Sequence, residues 1–158
     1  MTAEIDTLLN KMEHTRSRLN VVLEKVAPQL DIYPSWKLKQ LMDHITGWDK
    51  LVASAFHTHS RGATHPLVVI HGIDQYNAEL VNARMELSLE QSRQAYDSAR
   101  AEVLQELRVM PAEKLTQEFR APWGEMCTIA SVLKIFISHE LEHAKQIEEK
   151  LKNSTGFA

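Results

Sequence analysis

Residues 128–152, TIASVLKIFISHELEHAKQIEEKLK, carry the pattern that decides both the fold and the first candidate site. Apolar side chains recur there at steps of three and four, as in an amphipathic helix, at Ile129, Val132, Phe136 and Ile147. His139 and His143 lie on the same apolar face. Residues four apart on an α-helix are about 40° apart around the axis and about 6 Å apart along it. Both imidazoles can therefore reach one point beside the helix, as two ligands of a transition metal.

This histidine pair is a weak signal on its own. With 8 histidines in 158 residues, about 0.4 pairs at this spacing are expected by chance. Two partly buried core histidines, each with a hydrogen-bond partner, are the alternative interpretation. A metal site needs a third ligand, and His44 is the candidate. It lies three residues after Leu41 and four before Trp48, on or beside the apolar face of a second predicted helix, where a satisfied core histidine is again the alternative.

Composition limits the class of protein. A chain of 158 residues is of a size for one domain, 1–158, with a core that is stable without disulfides. The few glycines and prolines, 5 of each, fit a helical protein. A net charge of −3 without a basic run argues against a nucleic-acid partner. The single cysteine, Cys127, fits a reducing compartment. Because no apolar run approaches the ~20 residues of a membrane span and the N-terminus resembles no signal peptide, we expect a cytoplasmic protein without membrane contact.

Helical spacing and helix-end signals divide the chain into helices. Ser35 is the predicted cap of the second helix, and Ser88 with Gln91 forms a predicted capping box. Asn153 and Gly156 help to end the last helix. The predicted helices are 3–26, 36–59, 73–85, 89–109 and 128–152.

Two connections, 60–71 and 111–126, separate these helices, and neither they nor any other segment shows the alternation of a strand. Phe119 and Trp123 are apolar enough to fold back over the helices as a cover. Four principal helices predict an all-α, four-helix bundle with a long crossover connection, in which metal sites commonly form between facing helices. If the second and last helices run antiparallel and adjacent, His44, His139 and His143 lie at similar depth, since they are about 12, 20 and 14 Å from the respective helix ends.

Polar residues other than His44, His139 and His143 are predicted to have other roles. Thr15 and Arg16 interrupt the apolar face of the first helix, which indicates either a pocket or an arginine that extends to solvent. Four further histidines match no regular ligand spacing and are predicted to be surface residues. They are His57, His59, His65 and His71.

The segment 36–48, WKLKQLMDHITGW, resembles the start of the second helix in the DinB-like (YfiT-like) superfamily of metal-binding four-helix bundles. That start has a tryptophan at the helix entrance, then a histidine, then an aromatic residue one turn later. His139 and His143, followed by Gln146 and Ile147, resemble the last helix of the superfamily. The resemblance extends over essentially the whole chain. Lys37 departs from it, because many relatives have a serine or threonine cap there.

The resemblance implies an up-down-down-up bundle that often dimerises, so a homodimer is expected. It also implies that His44, His139 and His143 bind a divalent metal, usually nickel or zinc, with iron and cobalt as further options. Such a site leaves a position open for water or a thiol. Characterised members include thiol-dependent transferases and isomerases that use low-molecular-weight thiols.

The implied function is therefore a thiol-dependent transferase, or a metal-dependent hydrolase, that acts on a small molecule. Trp48, Arg16 and Trp123 are candidate neighbours of the site. A non-catalytic stress or damage-response bundle that binds a metal or ligand is the alternative from a different class.

A third interpretation comes from the zincin pattern H-E-x-x-H and the inverted pattern H-x-x-E-H, because residues 139–143 satisfy both through Glu140 and Glu142. In a metallopeptidase the glutamate would activate water. Glu140 and Glu142, however, lie about 80° from the bisector of the two histidines on a helical wheel. We expect both to partner the first helix or solvent, and a peptidase is the least favoured function.

Overall fold

The computed structural model describes residues 2–155, which are mostly helical, as predicted. Gly156, one of the predicted helix-ending residues, lies outside this range. The elements in chain order are α1 (Ala3–Glu24), α2 (Leu38–Ser60), α3 (Ile73–Asn82), α4 (Leu89–Val109), a short 3-10 helix (Ala112–Leu115), β1 (Phe119–Arg120), β2 (Met126–Cys127) and α5 (Ile129–Thr155).

The chain forms two compact units. The first, the terminal unit, contains α1, the loop that follows it, and α5 from Ala130 onward. The second, the central unit, is Lys39–Ile129. A single domain over the whole chain stays a prediction.

The terminal unit is built on two parallel helices. Ion pairs join α1 to α5, and their residue numbers rise together along both helices: Glu4 with Lys134, Arg16 with Glu140, and Arg18 with Glu148. The predicted apolar face of α1 is buried, with Ile5, Leu8, Met12, Leu19 and Leu23 each at most 5% exposed. Thr2 caps α1 by accepting a hydrogen bond from the Ile5 amide at 3.1 Å.

The central unit has a parallel pair of its own. Along α2 and α4 the contacts again rise together: Asp43 with Ser92, Asp49 with Arg100, Lys50 with Glu102, and His57 with Glu106. Two parallel helices need a long crossover connection between them, which here runs through α3. An up-down-down-up order requires parallel first and last helices and parallel middle helices, and each unit has the required pair.

Helix ends explain where the predicted segments were right or wrong. Ser88 and Gln91 form the predicted capping box, and α4 begins and ends at the predicted residues. Ser35 is not the cap of α2, because it lies in a tight turn with φ of 69°, closed by backbone hydrogen bonds between Tyr33 and Trp36. The helix therefore begins two residues later than predicted, at Leu38. The third helix also ends early, at Asn82 instead of residue 85.

The connection 111–126 is more ordered than predicted. The expectation of no strand was wrong here, because β1 and β2 form a small antiparallel hairpin around Gly124, whose φ is 101°. Phe119 packs on Phe56 and Trp123 packs on Trp48, with ring centroids 6.3 and 6.0 Å apart. Both aromatic residues thus fold back over α2, as predicted. Within residues 2–155, every helix is too short or too polar to span a bilayer.

Candidate metal centre

The two histidines of α5 point their ring nitrogens at each other. Nε2 of His139 and Nε2 of His143 are 2.9 Å apart, and the ring centroids are 4.4 Å apart. One helical turn thus brings both Nε2 atoms to one place, as the spacing predicted. His143 is 9% exposed, so the pair lies at the edge of the core and not in open solvent.

The local environment keeps His143 neutral. Burial and, to a smaller extent, the nearby ring of His139 lower the pKa of His143 to about 4, although the Glu140 carboxylate acts in the opposite direction. A histidine binds a metal through the lone pair of the neutral ring. At pH 7 His143 is therefore in the form that a metal requires.

Tyr33 supports His143 from the loop between α1 and α2. Its hydroxyl oxygen is 2.6 Å from Nδ1 of His143 and 2.6 Å from Oε1 of Gln146. The tyrosine ring also meets the imidazole edge to face, with centroids 5.5 Å apart. Sequence reasoning missed Tyr33, because a residue in a loop has no periodic neighbours that reveal its direction. Its position just before Pro34 was the one signal, since proline restricts the residue that precedes it.

Arg16 is buried and does not extend to solvent. Its Nε donates to Oε1 of Glu140 at 2.9 Å, and its Nη2 contacts the same oxygen. Glu140 therefore partners the first helix, as predicted, whereas Glu142 is exposed and accepts a hydrogen bond from Gln146 Nε2 at 3.0 Å. The expected extension of Arg16 to solvent is therefore wrong, and the polar break in α1 instead contains an ion pair with α5.

His44 lies in a well-anchored part of α2. It is 3% exposed, and the adjacent Asp43 is fully buried. The Asp43 carboxylate accepts a hydrogen bond from Ser92 Oγ at 2.6 Å and forms an ion pair with Lys39 at 2.7 Å. These bonds fix the turn of α2 that carries His44.

The three predicted ligands are divided between the units. His139 and His143 lie on α5 in the terminal unit, and His44 lies on α2 in the central unit. Imidazole is a good ligand for a divalent transition metal, so the paired nitrogens of α5 suit two of its ligand positions. A metal site that includes His44 stays a prediction.

The four histidines that were predicted to lie on the surface do not share a partner. His57 contacts Glu106 at 3.2 Å, and His65 contacts Ser54 at 3.0 Å. His71 is exposed. The prediction was wrong for His59, which is 4% exposed because its ring stacks on Phe119, with centroids 4.4 Å apart.

Trp48 and Trp123, two of the predicted neighbours of the site, contact each other in the central unit. The Trp48 indole nitrogen donates to Oδ1 of Asn77 at 2.7 Å, and its ring also meets Tyr76. A role for these tryptophans beside the metal stays a prediction.

The chain belongs to the DinB superfamily, whose family model matches residues 12–147. Two solved structures of a mycothiol-dependent maleylpyruvate isomerase, one of them a mutant, share the fold with a TM-score of 0.75 and 15% sequence identity. The match covers 93% of this chain but 63% of theirs, so the chain spans less than two thirds of the length of those proteins. No curated protein matches the sequence. The predicted fold class, an all-α four-helix bundle of the DinB type, is confirmed.

Proposed function

We propose that His44, His139 and His143 bind one divalent metal ion, with nickel and zinc as the first candidates and iron and cobalt as further ones. One observation carries the proposal: the Nε2 atoms of His139 and His143 meet 2.9 Å apart on one side of α5. His44 is proposed as the third ligand on the strength of the family resemblance. The lowered pKa of His143, which keeps that ring neutral at pH 7, supports the proposal.

The chemistry of such a site suits a reaction that needs an activated thiol. Three histidine ligands leave at least one coordination position open. A divalent metal held there lowers the pKa of a thiol that binds it and so supplies a thiolate nucleophile at neutral pH. We propose that the protein is a thiol-dependent transferase or isomerase that acts on a small electrophilic molecule. The name of the structurally similar enzyme, a mycothiol-dependent isomerase, supports this choice over a hydrolase.

The thiol must come from outside the chain. Cys127 is the only cysteine, and it is 8% exposed. Its Sγ donates to the Phe119 carbonyl at 3.5 Å, and burial, helped by Glu125, raises the pKa of its thiol to about 11. Because the thiolate is the nucleophilic form, Cys127 is poorly suited to attack a substrate at pH 7. A low-molecular-weight thiol co-substrate fills this role.

The zincin interpretation loses support from the contacts of its glutamates. Glu140 is 2% exposed and paired with Arg16, so its carboxylate is occupied and is not aimed at a substrate water. Glu142 is exposed and bound to Gln146. Neither fits a general base, and a peptidase is not proposed.

The test begins with metal content. Tag-free protein is reconstituted separately with Zn²⁺ and Ni²⁺ and compared with His44→Ala and, as a control, His71→Ala, which removes an exposed histidine. We expect about one ion per chain in the parent and the control, and loss in His44→Ala. No bound metal in the reconstituted parent would overturn the proposal.

The second stage tests catalysis with the metal-loaded protein. Maleylpyruvate and a model electrophile are each incubated with mycothiol, with glutathione, or with no thiol. Turnover that requires both the metal and a thiol supports the proposal. Metal-dependent ester hydrolysis without thiol would indicate the hydrolase instead, and tight metal binding without any turnover would favour the non-catalytic bundle.

We also propose a cytoplasmic homodimer, on the strength of the family resemblance and the reduced cysteine. Sedimentation equilibrium at micromolar protein concentration tests the dimer, which a monomer mass would contradict.

A further inference from the structure

A chain of hydrogen bonds runs from an exposed carboxylate to the back of His143. Glu142 accepts from Gln146 Nε2 at 3.0 Å, Gln146 Oε1 accepts from the Tyr33 hydroxyl at 2.6 Å, and the Tyr33 oxygen lies 2.6 Å from His143 Nδ1. All four residues belong to the terminal unit.

The chemistry of these groups fixes the direction of every proton in the chain. An ionised carboxylate only accepts hydrogen bonds, so Glu142 holds the amide nitrogen of Gln146 toward itself. The amide oxygen of Gln146 is then turned to Tyr33, whose single hydroxyl proton is donated to it. The Tyr33 oxygen is left as an acceptor toward His143. Nδ1 of His143 must therefore carry the imidazole proton, and Nε2 has the lone pair.

We propose that Tyr33 is a positioning residue that holds His143 in the Nδ1-protonated tautomer and so presents Nε2 to a metal, an inference that rests on the proposed metal site. Histidine ligands of metals almost always donate their second ring N–H to such a partner, which sets both tautomer and ring orientation. Here the partner is a tyrosine oxygen that Gln146 and Glu142 orient in turn.

Contacts within the loop between α1 and α2 hold the Tyr33 side chain in place. The backbone amide and carbonyl of Tyr33 both bond to Trp36, at 3.3 and 3.0 Å, across the turn in which Ser35 has positive φ. The Tyr33 ring also meets the Trp36 ring edge to face, with centroids 6.2 Å apart. A side chain fixed at both backbone and ring loses little further entropy when it orients His143.

The test compares Tyr33→Phe, Gln146→Leu and the matched control Tyr76→Phe. Tyr33→Phe keeps the ring and removes only the acceptor oxygen, and Tyr76→Phe makes the same chemical change in the central unit. Competition with a chromophoric chelator for Zn²⁺ measures affinity. We expect a loss of about 10–100-fold in Tyr33→Phe and no change in the control.

Gln146→Leu separates positioning from packing. This exposed substitution leaves Tyr33 in place but removes the acceptor of its proton, so the hydroxyl can turn and donate to Nδ1. We expect a loss of Zn²⁺ affinity in this variant as well. A two-bond ¹H–¹⁵N correlation on the metal-free proteins at pH 7.5 should show His143 protonated at Nδ1 in the parent and at Nε2 in Gln146→Leu.

The outcomes distinguish this inference from the proposed function. A parent protein whose His143 is protonated at Nε2, or a Tyr33→Phe variant with unchanged affinity, would overturn the role of Tyr33 even if metal binds. A parent that binds no Zn²⁺ yet has the Nδ1-protonated tautomer would contradict the proposed function while supporting the tautomer assignment.

Discussion

The histidines of α5 and those of residues 57–71 are arranged in opposite ways. On α5 the Nε2 atoms of His139 and His143 face each other at 2.9 Å. In the central unit three of the rings have separate partners: a carboxylate for His57, the Lys114 carbonyl for His59, and a serine for His65. Histidines that are crowded in sequence can therefore serve separate structural roles, whereas two at helical spacing converge. The direction of its ring nitrogen therefore decides whether a histidine is a candidate metal ligand.

The two units nevertheless share one device, a buried ion pair between parallel helices. Arg16 pairs with Glu140 in the terminal unit, and Arg100 pairs with Asp49 in the central unit, and each of these side chains is at most 10% exposed. Both units thus join their parallel helices by a buried ion pair, but they differ in the arrangement of their histidines.

The largest expected effect tests this shared device. Arg16→Met and Arg100→Met each leave a buried carboxylate without its cation, and we expect each to lower the free energy of unfolding by about 3–5 kcal/mol. Urea denaturation at pH 7 measures the loss. The double variant Arg16→Met with Glu140→Leu should recover most of it, because no buried charge is left unpaired. If only one of the two variants lost little free energy of unfolding, the two ion pairs would not be equivalent.

Histidine substitutions test the contrast itself. His139→Ala should weaken Zn²⁺ binding by more than about 100-fold, beyond the effect of losing a supporting residue. His59→Ala should leave Zn²⁺ affinity unchanged but lower the free energy of unfolding by about 1–3 kcal/mol, since it leaves the Lys114 carbonyl without its donor.

Calorimetric titration of Zn²⁺ and urea denaturation of both variants give the two readouts. If His59→Ala lost the metal, or if His139→Ala bound it normally, the proposed division between ligand and structural histidines would fail.

The sequence predicted those features that depend on residues close together in the chain. The capping box of Ser88 and Gln91 located the start of α4, and the four-residue step of His139 and His143 predicted their convergence. These features depend on neighbours within one or two helical turns, which sequence displays directly.

Features that depend on distant partners could not be predicted in the same way. The burial of Arg16 depends on Glu140, which is 124 residues away. The turn at Ser35 and the contact of Tyr33 with His143 depend on the path of a loop without periodicity. The two-residue strands of the hairpin are too short for alternation to appear. His59 is buried only because Phe119 folds back onto it.

Cys127 provides a further contrast, between the buried thiol of the central unit and the thiol that the reaction would take from solution. Its raised pKa of about 11 means that almost no thiolate is present at pH 8, whereas an unperturbed thiol with pKa near 8.5 is about one quarter ionised. We expect the reaction of the native protein with a disulfide reagent to be on the order of 100-fold slower than that of the unfolded protein.

The pH dependence of this reaction gives the sign of the shift. Because the proton leaves Cys127 only near pH 11, the native rate should still rise between pH 8.5 and 10, where a free thiol levels off. A native rate that levels off near pH 9 would show that the thiol is exposed and would reopen Cys127 as a nucleophile.

The smallest expected effect compares how helices begin in the two units. Ser88 accepts from the Gln91 amide at 3.1 Å while the Gln91 side chain accepts from the Ser88 amide at 2.8 Å, whereas Thr2 of α1 accepts a single bond. Ser88→Ala removes the hydroxyl of the reciprocal pair and should lower the free energy of unfolding by about 1 kcal/mol. Ser98→Ala, an exposed change inside α4, should instead leave it unchanged or raise it slightly, because alanine favours a helix interior. Opposite signs for one substitution at two positions of one helix, measured by urea denaturation, would establish the cap as the cause, and equal losses at both positions would contradict it.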